Sequence, residues 1–461
     1  MLHPAGLGPV VHGLFSMELS GRINPFTPIS IFAGIPRQKR GKSRKIVNPI
    51  RFNLKKLSNL NDPIYGFITI PNKTIFRLIN HAYFQRLRNI QQLGLTNLIY
   101  PGANHTRFHH ALGAMHLMGR AVQVLKAKGH EITQEEVKGV TIAILLHDIG
   151  HGPYSHTLEH SIVENVNHES ISALFMDRLN EELDGKLELA IQIFKDEYDK
   201  KFLHQLVSGQ LDMDRLDYLR RDSFFSGVFE GSVNSERIIK LLNVGPDGKL
   251  AVDAKGIYSI EHFLIARRLM YWQVYLHKTV LSAELLLMKI LKRAKELADQ
   301  GVELFATPVF RHFLYNHFSL IDFMADRQVL ELFSRLDDHD IMASIKAWTD
   351  HDDVVLSTLS KGMVTRRLYK AEMQAGKFDP AYVEELREKA VRRYKITPQE
   401  ADYFVFTDSV TNNAYDPRAG RINILHKSGE VEDIGQAADL FNISVLSDEV
   451  EKHILCYFKN S

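Results

Sequence analysis

The sequence predicts a mainly α-helical fold, with small β-hairpins and an α+β region towards its C-terminal end. Apolar residues recur at helical spacing from Phe108 to about Leu297. Pro246-Asp247-Gly248 interrupts this stretch and predicts a hairpin between Leu242 and Val252. From about His351 a predicted helix at 380–393 precedes strand-like segments at 403–407 and 422–425. Lys427-Ser428-Gly429 then predicts a second hairpin.

The composition indicates an ordinary globular chain. Its 461 residues, 45% hydrophobic and 24% charged, suffice for one large domain or two to three smaller ones. The net charge of +2 means that affinity for nucleic acid or phosphate must come from a local patch. A single cysteine, Cys456, excludes an internal disulfide and, with no recognisable signal peptide, favours a cytoplasmic location. The sequence contains no run of about 18 apolar residues, so it predicts no membrane-spanning helix.

Three regions follow along the chain. Residues 1–45 are expected to be a disordered basic extension, because prolines interrupt any period and 37–45 carry six cations. A solvated tail is the favoured reading of those cations, ahead of a nucleic-acid contact or an import signal. Residues 46–350 form the predicted core, and residues 351–461 a regulatory or oligomerisation region. The core is predicted to open with a turn at 62–66, a strand at 67–70, a helix at 74–92 and a loop at 94–102.

His147-Asp148 is the most informative dipeptide of the chain. Two further His-Asp pairs lie in the acidic runs 337–340 and 350–353, whose default interpretation is a solvated surface. His147 instead ends an apolar helical run that Thr133 and Glu136 begin with capping-box spacing. A polar pair at the buried end of a helix needs a partner, and a cation would satisfy both side chains.

Further ligands for such a cation occur on either side of the pair. Residues 104–113 open a predicted helix whose first turn offers histidines, among them His109 and His110, and a later helix offers Asp212, Asp214 and Asp217. Two histidines and two carboxylates suit a divalent transition metal such as manganese, iron, zinc, cobalt or nickel, with positions left for water. Spacing alone does not choose between the adjacent candidates.

Helical spacing groups other polar residues. His156, Glu159 and His160 share a face and would hold either a second metal or a proton relay, of which the relay is favoured. Tyr218 and Asp222 follow Asp214 on one face, whereas Asp217, Arg220 and Arg221 are expected to form structural ion pairs. A long helix is predicted over 261–299, and one stripe along it combines cationic and aromatic side chains. Such a stripe can bind phosphates and a ribose or base, although a packed helix with snorkelling cations would show the same pattern. This stripe comprises Arg267, Tyr271, Tyr275 and Lys278.

Several ordered blocks of the sequence resemble the HD-domain metal-dependent phosphohydrolases, in their deoxynucleoside triphosphate triphosphohydrolase branch. The order His, His-Asp and distant Asp is the ligand order of that family, and the likeness covers about residues 56–290. The blocks are Asp62-Pro63-Ile64-Tyr65-Gly66, Phe84-Gln85-Arg86-Leu87-Arg88, Gln92-Leu93-Gly94, Pro101-Gly102-Ala103, Arg107-Phe108-His109-His110, the run from His147 to His156, and the run from Asp212 to Tyr218.

The resemblance implies a helical HD-domain core and assigns metal ligands and catalytic groups within it. The metal ligands would be His110, His147, Asp148 and Asp214, with His109 and Asp212 as neighbours that do not bind. His156 would be the general acid, oriented by Glu159, where the family is expected to have Asp. His151 and His168 match histidines near the phosphates.

The resemblance also implies substrate and regulatory contacts. Gln92 and Leu93 would meet the sugar 3′ hydroxyl and crowd its 2′ carbon, which favours deoxyribose. Tyr218 and Asp222 would contact the sugar, and Arg107, Arg267 and Lys278 the phosphates. Tyr275 is also expected to bind the substrate. Gln85 and Arg88 match a regulatory nucleotide site, but Asn80 replaces the Asp of guanine-selective relatives, and an amide cannot accept two hydrogen bonds from guanine as a carboxylate does.

The expected activity is therefore metal-dependent hydrolysis of a dNTP to deoxynucleoside and inorganic triphosphate by a homo-oligomer, a dimer or a tetramer. Magnesium would accompany the substrate phosphates. Two alternatives stay open. One is an HD-type nucleotidase or phosphodiesterase that acts on another nucleotide, and the other is a nucleic-acid-binding module that retains the fold.

Overall fold

Helices form most of the part of the chain that the structure describes, which confirms the mainly α fold. The structure is a computed structural model that describes residues 58–154, 166–412, 415–418, 420–438 and 450–458. The predicted basic extension at 1–45 and the group His156, Glu159 and His160 lie outside these residues. Among the described helices, none is long and apolar enough to cross a membrane.

The elements are numbered here in chain order. The strands are β1 (Asn59–Asp62), β2 (Gly66–Thr69), β3 (Leu242–Val244), β4 (Leu250–Asp253), β5 (Lys370–Gln374), β6 (Val405–Asn412), β7 (Asn423–Leu425), β8 (Val431–Asp433) and β9 (Val450–Tyr457). The helices are α1 (Lys73–Ile79), α2 (Ala82–Gln85), α3 (Arg107–Ala127), α4 (Gln134–Leu146), α5 (His168–Glu182), α6 (Glu188–Phe194), α7 (Lys201–Val207), α8 (Met213–Ser226), α9 (Ser235–Leu241), α10 (Ile257–Met270), α11 (Lys278–Asp299), α12 (Pro308–Leu314), α13 (Leu320–Ala325), α14 (Arg327–Phe333), α15 (Asp338–Trp348), α16 (Val354–Val364), α17 (Pro380–Tyr394) and α18 (Ile434–Ala437).

Helix α4 lies at the centre of the core. It begins with the predicted capping box, in which Thr133 and Glu136 bond reciprocally to each other's backbone amides. Its apolar run is completely buried between α3 and α6, and a side chain on Gly139 would press on Leu189 of α6. Helix α3 also packs against α8, so the ends of α3, α4 and α8 meet at one place.

Besides the antiparallel pair of β1 and β2, the described residues form two larger sheets. Strands β3 and β4 form the hairpin predicted around 246–248, with Leu242 opposite Val252, and β7 and β8 form the second predicted hairpin. Strand β4 pairs in parallel with β7, so the C-terminal part of the chain completes a sheet begun in the core. The other sheet has the order β5-β9-β6 and is antiparallel throughout.

Three expectations from the sequence were wrong. The helix expected at 74–92 is split into α1, α2 and a 3-10 turn at Arg86–Asn89, because the His81 side chain accepts from the Tyr83 amide and caps a new helix start at Ala82. The loop expected at 94–102 contains a 3-10 turn at Gly94–Leu98. The long helix expected over 261–299 ends at Met270, passes through a π turn at Tyr271–Tyr275 and begins again at Lys278, where His277 caps it.

Candidate metal centre and substrate pocket

The ends of three packed helices bring four side chains to one point. His110 comes from the first turn of α3, His147 and Asp148 directly follow α4, and Asp214 lies in the first turn of α8. The Nε2 atoms of His110 and His147 lie 3.0 and 3.5 Å from Oδ1 of Asp214. Asp148 completes the cluster, with Oδ1 3.4 Å from His147 Nε2 and Oδ2 3.9 Å from His110 Nε2.

The neighbours that spacing could not separate from these residues have other roles. His109 Nδ1 accepts a bond from the Thr106 amide and closes the capping box at the start of α3. Asp212 is the N-cap of α8, where its side chain accepts from the backbone of Arg215 and Gly209. Both side chains therefore serve helix ends, and His110 and Asp214 face the cluster.

Both histidines present the nitrogen that a metal requires. Nδ1 of His110 lies 2.8 Å from Asp217 Oδ2, and Nδ1 of His147 lies 2.7 Å from the Ile144 carbonyl oxygen. Because each Nδ1 faces an acceptor, the ring carries a proton on that atom and directs its Nε2 atom at the cluster. Both Nε2 atoms are buried and make no hydrogen bond of acceptable geometry among the described residues. The residues therefore fit a divalent cation, with ligand atoms of His110, His147 and Asp214 within 4.8 Å of one another.

The charges of the cluster support this interpretation. Burial lowers the pKa of His110, but Asp214 and Asp217 outweigh it and raise that pKa to about 10. Burial raises the pKa of Asp214, but His110 and His147 outweigh it and hold that pKa far below its usual value. Without a metal ion the His110 ring therefore holds a proton on Nε2 as well, and a bound metal ion would displace that proton.

Arg107 and His151 extend the centre on its Asp148 side. The Arg107 guanidinium donates to Asp148 Oδ2 over 2.6 Å, and His151 Nε2 lies 3.3 Å from Asp148 Oδ1. The rings of His151 and His168 stack with centroids 3.7 Å apart. Burial and then Arg107 lower the pKa of His151 to about 3, so its ring is neutral. These groups place hydrogen-bonding nitrogens and one permanent cation beside the cluster.

A buried network of ion pairs contacts His110 at Nδ1, the ring nitrogen that faces away from the cluster. Asp217 accepts from His110 Nδ1 and from Arg221 Nε at 2.8 Å each, and Arg221 also donates to Asp62 Oδ2 at 2.8 Å. Sequence reasoning treated Asp217 and Arg221 only as structural ion pairs and missed the bond to His110. The position of Asp217 three residues after Asp214 was the signal available in the sequence, because it places both carboxylates on neighbouring faces of α8.

The segment after α4, residues 147–154, is named the HD turn. The Ser172 hydroxyl donates to the His147 carbonyl oxygen over 2.7 Å and accepts from the Gly150 amide over 2.9 Å. A side chain at Gly150 would lie 2.2 Å from the His168 carbonyl oxygen, so α5 packs directly on the backbone there. Buried Arg86 donates to the Ile149 carbonyl oxygen over 2.7 Å. Sequence reasoning identified neither Ser172 nor Arg86, because their partners are backbone atoms distant in sequence.

A cavity of about 330 Å³ adjoins the centre at Arg107 and is named the substrate pocket. It brings together Gln92, Leu93, Arg107 and Tyr275 from the predicted substrate contacts. Tyr218 stands beside Tyr275 with ring centroids 6.2 Å apart. The complete lining is Gln91, Gln92, Leu93, Gly94, Thr96, Arg107, Tyr154, Tyr271, Tyr275, Leu276, Leu281 and Glu284.

Asp222 lies behind this pocket and is held from two sides. The Tyr275 hydroxyl donates to Asp222 Oδ2 over 2.7 Å, and His105 Nε2 lies 2.7 Å from Asp222 Oδ1. His105 is buried and stacks on Phe225 with centroids 4.6 Å apart. This histidine was not singled out from the sequence, since nothing near it indicates a contact with a residue 117 positions away.

Other predicted site residues that the structure describes do not line the substrate pocket. Arg267 is buried next to it, with its guanidinium 6.0 Å from the centroid of the Tyr271 ring, and donates to Gln210 over 3.1 Å. Lys278, beyond the break after the π turn, lines a different cavity of about 1060 Å³ with Lys361, Arg366, Arg367, Lys370 and Arg393. Gln85 and Arg88 contact each other over 2.8 Å, with Arg88 over the Phe108 ring. His156 and Glu159 fall outside the described residues.

Three packed helices that present a histidine, a His-Asp pair and a distant aspartate define the class of HD-domain proteins. Family models agree, since residues 107–222 match the HD domain and residues 233–306 match the HD associated region. A phosphohydrolase of Bacteroides thetaiotaomicron VPI-5482 is 53% identical with a TM-score of 0.85, over 88% of this chain and 100% of that one. The chain belongs to the HD-domain phosphohydrolase family.

Curated relatives include both uncharacterized proteins and a named enzyme. The uncharacterized protein YwfO of Bacillus subtilis (strain 168) is 31% identical over 87% of this chain and 92% of its own length. The deoxynucleoside triphosphate triphosphohydrolase SAMHD1 of Homo sapiens is 28% identical over 57% of this chain and 49% of its own length. Its Dictyostelium discoideum homolog is 29% identical over 58% and 56%, respectively. The chain spans about half the length of these triphosphohydrolases.

Proposed function

We propose that this phosphohydrolase cleaves deoxynucleoside triphosphates to the deoxynucleoside and inorganic triphosphate. The observation that carries the proposal is the facing pair of buried Nε2 atoms of His110 and His147, with Asp148 and Asp214 beside them and the substrate pocket adjoining. The similarity to named triphosphohydrolases supports the choice of substrate class.

His110, His147, Asp148 and Asp214 would hold a divalent transition metal. A bound ion supplies Lewis-acid stabilisation of phosphoryl oxygens and a water molecule of lowered pKa. Arg107 would also stabilise the negative charge of the phosphoryl oxygens, because its guanidinium lies next to Asp148 and lines the substrate pocket. Neutral His151, stacked with His168, can donate or accept hydrogen bonds where the phosphates would lie.

The substrate pocket would select the deoxyribose. Gln92 offers an amide to the 3′ hydroxyl, and Leu93 leaves little room for a 2′ hydroxyl, on the positions implied by the family resemblance. Tyr275 supplies an aromatic wall with Tyr218 beside it, and Asp222 fixes the Tyr275 hydroxyl. His156, with Glu159 to orient it, would donate the proton that the leaving 5′ oxygen requires.

We further propose contacts to the substrate phosphates, a regulatory nucleotide site and an oligomeric assembly. Arg267 and Lys278 would contact substrate phosphates together with magnesium, although the structure separates Lys278 from the substrate pocket. Gln85 and Arg88 would contribute to a regulatory nucleotide site, and the enzyme would act in the cytoplasm as a dimer or tetramer. The regions proposed are a basic extension at 1–45, an HD core at 46–350 and a regulatory or oligomerisation region at 351–461.

Product analysis tests the reaction directly. The purified protein is incubated with manganese or magnesium and each dNTP, singly and in mixtures, and products are separated by ion exchange. Release of triphosphate with a stoichiometric deoxynucleoside is expected. Release of phosphate from monophosphates, or cleavage of cyclic nucleotides, would instead indicate the nucleotidase or phosphodiesterase. Salt-sensitive binding of nucleic acid without hydrolysis would indicate the binding module.

A further inference from the structure

Asp338 lies outside both matched family regions and reaches from α15 toward the substrate pocket. Its neighbours Asp337 and Asp340 form a capping box at the start of this helix, where Asp337 accepts from the His339 amide and Asp340 from the Asp337 amide. Asp338 instead is only 6% exposed. The sequence reading of 337–340 as a wholly solvated acidic run was therefore wrong at this one position, because its partners are backbone amides distant in sequence.

The two oxygens of Asp338 bind two different loops. Oδ2 accepts from the Gln91 amide over 2.8 Å, and Oδ1 accepts from the Tyr154 amide over 3.1 Å. Gln91 directly precedes Gln92 and Leu93, and Tyr154 is the last described residue of the HD turn. Both Gln91 and Tyr154 line the substrate pocket. One carboxylate therefore joins two walls of this pocket.

Each loop has an anchor of its own, and Asp338 connects the two loops. The Gln91 segment pairs with the residues before α3, through a bridge between Gln91 and Thr106 and a bond from the Gln92 amide to the His105 carbonyl oxygen. The HD turn is held at Ile149 by Arg86. Tyr154 itself has a φ of 50°, an uncommon conformation for a residue other than glycine, and a bond to its amide helps to maintain it.

The charges around Asp338 make it responsive to pH. Burial raises its pKa to about 6, the amides of Gln91 and Tyr154 and the charge of Arg107 act to lower it, and Asp337 adds to the increase. Arg86 and the phenol of Tyr154 also interact with its charge. An ionised carboxylate accepts both amide bonds, whereas a protonated one presents a hydroxyl to one of the amides.

We propose that Asp338 is a positioning residue that holds the Gln91 loop and the HD turn at the separation required for substrate binding. This inference rests on the proposed function for its kinetic readout, and on the structure alone for its effect on the two loops. Protonation of Asp338 as the pH falls through about 6 removes one of its two bonds and loosens one wall of the pocket.

Asp338→Asn tests the proposal, because an amide accepts at one oxygen only and so resembles the protonated acid at every pH. Asp337→Asn is the matched control, since it removes the neighbouring charge and asparagine remains a good N-cap. At pH 7.5 we expect Asp338→Asn to lower kcat/KM for dNTP hydrolysis by about tenfold or more, chiefly through KM. The control should stay within about twofold of the wild type.

The pH profile separates positioning from a merely structural role. The ratio of wild-type to Asp338→Asn activity should fall toward one between pH 7.5 and pH 5, because the wild type then acquires the defect of the variant. Effects of pH on the metal ligands are shared by both proteins and cancel in the ratio. A ratio that stays constant, or an equal loss in Asp337→Asn, would overturn the proposal.

Hydrogen exchange at pH 7.5 supplies a readout that needs no activity. In Asp338→Asn, peptides containing residues 90–93 and 150–154 should exchange faster than in the wild type, and peptides of α7 should be unchanged. If no protein hydrolyses a dNTP and these exchange differences appear, the proposed substrate is wrong and the positioning role stands. Unchanged exchange in both loops would overturn the positioning role whatever the activity.

Discussion

Asp217 Oδ2 lies 2.8 Å from Nδ1 of His110, and Nε2 of the same ring lies 3.0 Å from Asp214 Oδ1. The imidazole is thus held between one carboxylate that faces its Nδ1 atom and another that would share a bound metal ion with it. Such a carboxylate–histidine pair orients a ligand and increases its basicity. Burial raises the pKa of Asp217, but Arg221 and His110 outweigh it and lower that pKa to about 2, so the carboxylate is charged.

Asp217→Asn should weaken metal binding by about 10- to 100-fold, because the amide no longer fixes the His110 tautomer. Competition with a chelator, followed by metal analysis, measures the affinity. Asp62→Asn is the control, since Asp62 also pairs with Arg221 but does not contact His110. Equal losses of affinity in both variants would contradict a specific role of the contact between Asp217 and His110.

Gly150→Ala should disrupt the HD turn, because the added carbon would lie 2.2 Å from the His168 carbonyl oxygen and 2.3 Å from the Ser172 amide nitrogen. Both obstacles are backbone atoms, so the turn must move. We expect a loss of about 1–3 kcal/mol in the free energy of unfolding, together with loss of activity. Gly119→Ala in α3, where nothing lies within 4 Å of the new carbon, should instead stabilise by about 0.5–1 kcal/mol. Urea unfolding of both variants measures these differences.

Glu136→Gln should destabilise the protein in a pH-dependent way. Burial raises the pKa of Glu136, but Lys200, the Thr133 amide and Tyr198 outweigh it and lower that pKa from 4.5 to about 2. The folded pKa is depressed, so the stabilisation is complete above pH 4.5 and is lost as the pH falls from 4.5 to 2. The variant should be less stable by about 2 kcal/mol at pH 7, a value discounted for solvent screening. Exposed Glu135→Gln should change stability little, and a deficit independent of pH would contradict the assignment.

Local sequence signals predicted the elements whose causes are local. The capping box of Thr133 and Glu136, both hairpins and the helix that ends at His147 follow from neighbouring residues, and the structure contains each of them. The breaks inside 74–92 and 261–299 were missed because His81 and His277 cap new helix starts there, which hydrophobic periodicity does not reveal.

The site was predictable to a smaller extent. The types and the order of the residues indicated a cation at His147 and Asp148. The family resemblance then selected His110 and Asp214, and the structure brings these two residues together with His147 and Asp148. Asp217, Ser172, Arg86, His105 and Asp338 were missed in these roles, since each acts through a partner that only the fold brings near. The same limit applies to Lys278, because a π turn rotated it away from the stripe that regular helical spacing predicted.

The most direct test of the metal-dependent reaction compares the wild type with the double variant His147→Ala and Asp148→Ala. Each protein is loaded with manganese, analysed for bound metal and assayed for triphosphate release from every dNTP. We predict that the wild type binds metal and releases triphosphate, and that the double variant, although folded, does neither. An undiminished rate of triphosphate release by the double variant would contradict the assignment of this centre.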